Sequence, residues 1–131
     1  MKKQTLIVGI IIVIGLIAGV SGLLVTFAQD NKSSEVTLKG EVVDMHCYIA
    51  NGEKGANHAG CANACISRGV SPGFLASDGK LYLIFNDKLT PVKDKIANLA
   101  GQPVALTGTL VERDGVRAVI LKHIEATTQS Q

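Results

Sequence analysis

The sequence predicts a small, mainly β barrel behind an N-terminal membrane segment, with a helical Cys/His insertion after the first strand. Three observations carry this prediction. Residues 5–28 run without a charge, whereas the remainder alternates short β-patterned runs with Asp-Gly turn pairs. One helical pattern falls between the third and fourth of those runs. All three cysteines and two of the three histidines lie between His46 and Cys65.

The first 28 residues are read as a transmembrane anchor or a signal peptide. Lys2 and Lys3 form a positive head, and the apolar run behind them exceeds the about 20 residues that span a bilayer. The lysines should stay in the cytoplasm while the C-terminal part crosses. A cleaved signal peptide has an apolar core of only about 7–15 residues, which favours an uncleaved single-pass anchor. Thr26-Phe27-Ala28 nevertheless has the small residues of a cleavage site, so a secreted form is the alternative. No cysteine follows the apolar run, which argues against a lipoprotein. The expected location is the bacterial cell membrane, with the domain on the extracytoplasmic side, where paired cysteines can be oxidised.

Residues 29–35 are polar and read as a linker, 36–126 as the domain, and 127–131 as a disordered tail. Val36 to Met45 has the pattern of a strand, and Gly40 interrupts it at a bulge or bend. Gly73 to Ala76 and Lys80 to Phe85 form a hairpin around Asp78-Gly79. Thr90-Pro91 opens a helix on which Val92, Ile96 and Leu99 share a face, with Gly101 as its stop. Pro103 to Val111 and Val116 to Ile124 form a last hairpin around Asp114-Gly115. Strand, insertion, strand, strand, helix, strand, strand is the element order of an OB-fold, a five-stranded Greek-key barrel. Such a fold carries no function by itself. The insertion, residues 46–69, replaces the short loop between strands one and two and sits at one mouth of the barrel.

Composition excludes the ligand that this fold most readily suggests. The net charge of +2 belongs to Lys2 and Lys3; without them, 11 of the 13 basic residues face 11 acidic ones. Trp is absent, and only two Tyr and three Phe are present. Nucleic-acid binding needs a basic stripe and stacking aromatics, and neither is here. The domain of roughly one hundred residues supports only a modest core, so a metal or disulfide would contribute materially to its stability.

The insertion holds the chemistry. Asn57 to Arg68 suits a helix, with Asn57 as N-cap and Gly69 as stop. On it His58, Cys61 and Cys65 stand at i, i+3 and i+7, within an arc of about 60°. Cys47 arrives from the end of the first strand, and the glycine-bearing loop 50–55 turns back over the barrel mouth. Three thiolates and one imidazole can then converge, a set suited to tetrahedral zinc; thiolates also favour copper or an iron–sulfur cluster. Two other readings stay open: redox-active thiols, or a structural disulfide with one spare cysteine. A Cys47 link to Cys61 or Cys65 is geometrically easier than one between Cys61 and Cys65 on a regular helix. Covalent haem is unexpected, because Ile66 rather than His follows Cys65.

Asp44 and His46 share a strand face opposite Cys47 and read as polar rim residues, with second-shell or alternative ligation as the other reading. Tyr48 either closes over the site or packs. Met45 reads as core rather than a thioether ligand, and His123, alternating with Val119 and Leu121, as a barrel histidine rather than a ligand.

The pattern Asp-x2-Cys-Tyr, Gly-rich loop, His-x2-Cys-Ala-x2-Cys, then Pro72-Gly73-Phe74-Leu75 and Asp78-Gly79-Lys80, resembles that of a family of small exported, membrane-anchored bacterial OB-fold-like proteins. The Cys-x3-Cys spacing with a histidine is similar to that of exported copper chaperones serving cytochrome oxidase, although their thioredoxin-like pattern is absent. A single membrane segment before an exported OB-fold also resembles the haem chaperone of cytochrome c maturation. That family's His-x3-Tyr is missing, since His123 is followed by Ile124-Glu125-Ala126-Thr127.

The sequence therefore predicts a membrane-anchored metal-binding protein using Cys47, His58, Cys61 and Cys65, with zinc first among the ions. Its role is binding, delivery or electron transfer rather than turnover, since no Ser/His/Asp set or carboxylate pair stands out. Expected partners are the membrane and a metalloprotein or membrane redox complex. The alternatives are a thiol–disulfide redox protein and a non-catalytic interaction module stapled by a disulfide.

Overall fold

A computed structural model describes residues 34–96 and 98–128. The expected membrane segment, residues 1–28, most of the expected linker and residues 129–131 lie outside them. No helix among the described residues is long and apolar enough to cross a membrane.

Five strands close a barrel in the order β1-β2-β3-β5-β4 and back to β1: β1 Ser34–Asp44, β2 Pro72–Ala76, β3 Leu81–Asn86, β4 Pro103–Arg113 and β5 Val116–Ala126. β3 and β5 run parallel; the other neighbours are antiparallel. The order and directions are those expected of an OB-fold. β1 pairs with β4 over Ser34–Glu41 and with β2 over Gly40–Asp44, so one strand serves both sides of the barrel. Gly40 lies where the two pairings overlap. A Cβ there would fall 2.2 Å from the Leu75 carbonyl oxygen, so only glycine permits this approach. Its interruption of the alternation marks that change of partner.

The core follows from the inward positions of these strands. Val42, Phe74, Ile84, Val104, Leu106, Val119 and Leu121 are buried, and Ala62 and Ile66 of the insertion join them. The insertion is thus packed onto the barrel and shares its core.

The helix expected after Thr90-Pro91 is instead a single 3-10 turn, Val92–Asp94. Pro91 is extended rather than helical. Thr90 does not cap; its hydroxyl and carbonyl accept the Asn86 side-chain amide at 3.1 and 3.2 Å. Asn98, with φ 61°, then stops any continuation. The apolar spacing still holds its meaning, for Val92 and Ile96 are buried and Leu99 packs at the core margin.

A bulge between Thr107 and Gly108 shifts the β4–β5 register, pairing Thr107 with His123 and Gly108 with Leu121. The extra residue reverses the parity of β5. His123 consequently lies on the exposed outer face, 3.6 Å from Glu125, and is not a barrel-lining histidine.

Candidate metal centre

The first strand ends one residue before expected, and the difference builds the site. Met45–Asn51 is a helix, α1, and Asp44 is its N-cap. Asp44 Oδ1 accepts the Cys47 backbone N–H at 2.8 Å. This is ordinary N-cap chemistry, in which a short acidic side chain satisfies a free amide of the first turn. Cys47 therefore stands in the first turn of a helix and not at a strand end. Asp44, as N-cap, and Cys47, in the first turn, do not stand on opposite faces of one strand.

The second helix, α2, spans Ala59–Ser67, with a 3-10 turn at Ala56–His58 before it. His58 donates its backbone N–H to the Gly55 carbonyl at 3.0 Å and occupies the N-cap position expected of Asn57. Two outside contacts seat the insertion. Glu41 on β1 accepts the Gly55 N–H at 2.7 Å. Asn63 on α2 accepts the Ala100 N–H at 3.2 Å and donates to the Ala59 carbonyl at 2.8 Å.

These elements bring the expected residues together. Cys47, Cys61 and Cys65 offer sulfur atoms that all lie within 4.8 Å of one another; Asp44, Cys47 and His58 form a second such set. Cys47, His58, Cys61 and Cys65 are thus close enough to hold a metal ion, arranged as two overlapping triads with Cys47 in common. All three cysteines are free, and Cys61 is the exposed one.

Asp44 is fully buried, contrary to its reading as a rim residue. A buried carboxylate needs partners. Besides the Cys47 amide it has His58 Nε2, 3.1 Å from Oδ2, and the Cys47 sulfur lies within 4.8 Å. Burial pushes its carboxyl up, but those hydrogen bonds and the nearby imidazole outweigh burial and hold it below the usual value. The other ring nitrogen of His58, Nδ1, lies 3.7 Å from Glu53.

The thiols respond in the opposite sense. The Asp44 hydrogen bond, with burial and carboxylate charge added, pushes Cys47 up to about 12. Burial, then a hydrogen bond with Cys61, raises Cys65. Without metal the site therefore stores protons, and metal binding must displace them. A pH dependence follows. Folded Cys47 holds a proton that the unfolded chain loses near the ordinary thiol value of 9.0. Its contribution to stability is complete below that value and is lost as pH rises toward about 12. The urea midpoint of the metal-free, reduced protein should fall from pH 8.5 to 11, and Cys47→Ser should remove that part of the decline. An equal decline in both proteins would mean that the Asp44–Cys47 contact is not formed.

His46 joins neither triad, and Tyr48 and Met45 have other surroundings. His46 is exposed on α1. Tyr48 lines an open cleft of about 860 Å³ with Lys39, Glu41 and Lys54. Met45 packs over Gly73, its sulfur where a Cβ on that glycine would come within 2.4 Å. Glu41, Glu53 and Asn63 were not singled out from the sequence, because each acts through a partner remote in the chain or across a loop.

No family model, curated protein or solved structure matches this chain.

Proposed function

We propose that this chain is a membrane-anchored, extracytoplasmic metal-binding protein of the small exported bacterial type its motif resembles. Its centre draws on Cys47, His58, Cys61 and Cys65, and its role is to hold and hand over an ion or pass electrons through it. The observation carrying this reading is the mutual approach of three free thiols within 4.8 Å, delivered by two different helices. Thiolates plus an imidazole suit zinc first. Copper(I) is the softer alternative; an iron–sulfur cluster ordinarily takes four thiolates, and this chain has three cysteines. Cys61 is exposed, so one side of the centre faces solvent. That favours exchange with a partner metalloprotein or membrane redox complex over a sealed structural site.

A thiol–disulfide role is the second reading, favoured by the exposure of Cys61 and by the approach of its sulfur to those of Cys47 and Cys65 within 4.8 Å. Metal content and thiol count of the full chain, purified anaerobically, separate the two. Bound metal with three reduced thiols supports the first reading; no metal and two thiols missing supports the second.

A further inference from the structure

Cys47 belongs to both triads, and the two triads differ in character. One is all sulfur: Cys47, Cys61 and Cys65. The other is mixed: Asp44, Cys47 and His58. We propose that the centre is dinuclear, with one divalent ion of the zinc class in each triad and the Cys47 thiolate bridging them. This deepens the metal-binding reading and rests on it.

Four features favour two ions over one. First, His58 Nε2 and Asp44 Oδ2 are 3.1 Å apart. Two ligands on one tetrahedral ion, each at about 2.0–2.2 Å, stand roughly 3.3 Å apart. The pair needs little movement to share an ion.

Second, both groups keep an atom in reserve to hold their orientation. Asp44 Oδ1 accepts the Cys47 amide, leaving Oδ2 for the ion. His58 Nδ1 faces Glu53 at 3.7 Å, leaving Nε2 for the ion. A carboxylate behind the distal nitrogen is the usual support of a metal-bound histidine.

Third, His58 groups with Asp44 and Cys47 and not with Cys61 or Cys65, so a single ion held by three sulfurs and His58 Nε2 would draw the imidazole away from Asp44. That carboxylate is fully buried and has no solvent to turn to. Removing one partner from a buried charged group is costly.

Fourth, the charges agree: three thiolates and one carboxylate carry four negative charges, which two divalent ions neutralise and one does not.

The test is titration of the reduced full-length chain, in detergent and without oxygen, with Co2+ as a spectroscopic substitute for zinc. Two equivalents should bind. The high-spin Co2+ resonance present at one equivalent should weaken at two, because a shared thiolate couples the ions magnetically. His58→Ala should bind one equivalent, retain thiolate-to-cobalt absorption and keep its resonance. Asp44→Asn, which preserves the size of the N-cap, should do the same. One equivalent in the unaltered chain would overturn the dinuclear centre and leave the metal-binding reading intact. No binding would overturn both. Two equivalents with simply additive resonances would remove the bridge, and loss of all binding in His58→Ala would point to a single Cys3His ion.

Discussion

Replacing Cys47 by Ser should weaken metal binding more than any other single substitution in the chain. Structural zinc sites release about 10–16 kcal/mol over four ligands, or roughly 3–4 kcal/mol each, which corresponds to about 10²–10³-fold in affinity. Cys61 and Cys65 each serve one triad, as does His58; Cys47 serves both. The loss for Cys47→Ser should therefore reach at least about 10³-fold, against about 10²-fold for His58→Ala. The fold should survive. The backbone amide of residue 47 still donates to Asp44, and a serine hydroxyl can replace the thiol as second donor. Competition against a chelator of known affinity measures the effect, and circular dichroism checks the fold. Equal losses for Cys47→Ser and Cys61→Ser would deny Cys47 its central position.

Gly101→Ala should lower stability by about 3 kcal/mol and weaken the metal site with it. Two costs add. Gly101 has φ 73°, a conformation that costs an L-residue about 1–2 kcal/mol. A Cβ would also lie 2.6 Å from the Gly55 carbonyl oxygen and 2.8 Å from Ala59 Cα, both backbone atoms that cannot rotate away. Gly101 itself is tied to β1 by its amide, which donates to the Val42 carbonyl at 2.9 Å. The insertion must yield, and the segment that yields carries His58 and the start of α2. Gly79→Ala is the control. Its φ is similarly positive, 82°, but nothing stands within 4 Å of the added carbon. It should show the backbone cost alone, about 1–2 kcal/mol, with metal affinity unchanged. Urea unfolding of the two variants separates conformation from contact. Equal destabilisation would mean that the barrel–insertion contact at Gly101 is slack.

Much of the scaffold was legible because its signals are local. Asp78-Gly79 and Asp114-Gly115 announce their hairpins. Apolar runs in β2 and alternation in β3 and β4 identify strands, and Gly40 flags the place where β1 changes partner. The i, i+4 spacing of Cys61 and Cys65 puts their sulfurs on one side of α2. Errors arose where a local signal competed with a distant one. Thr90-Pro91 has the letters of a helix start, but the Asn86 side chain takes up Thr90 and the left-handed Asn98 stops the turn. His123 follows the β5 alternation until the bulge in the β4–β5 pairing reverses it. Asp44 was the costliest miss, and its local signal was present. An aspartate before Met45-His46-Cys47 is an N-cap candidate, yet the apolar alternation of β1 runs up to it and suggested a continued strand. Its contact with His58 joins positions fourteen apart across a loop, and no spacing rule supplies that.

The central claim is that Cys47, His58, Cys61 and Cys65 hold metal. Elemental analysis of the anaerobically purified full-length chain, paired with thiol titration before and after metal removal, tests it most directly. The account predicts at least one metal ion per chain. It also predicts three cysteines shielded from alkylation while metal is bound and three free thiols once it is removed. A metal-free chain that takes up no added zinc or copper, with two of its three thiols already consumed in a disulfide, would contradict it.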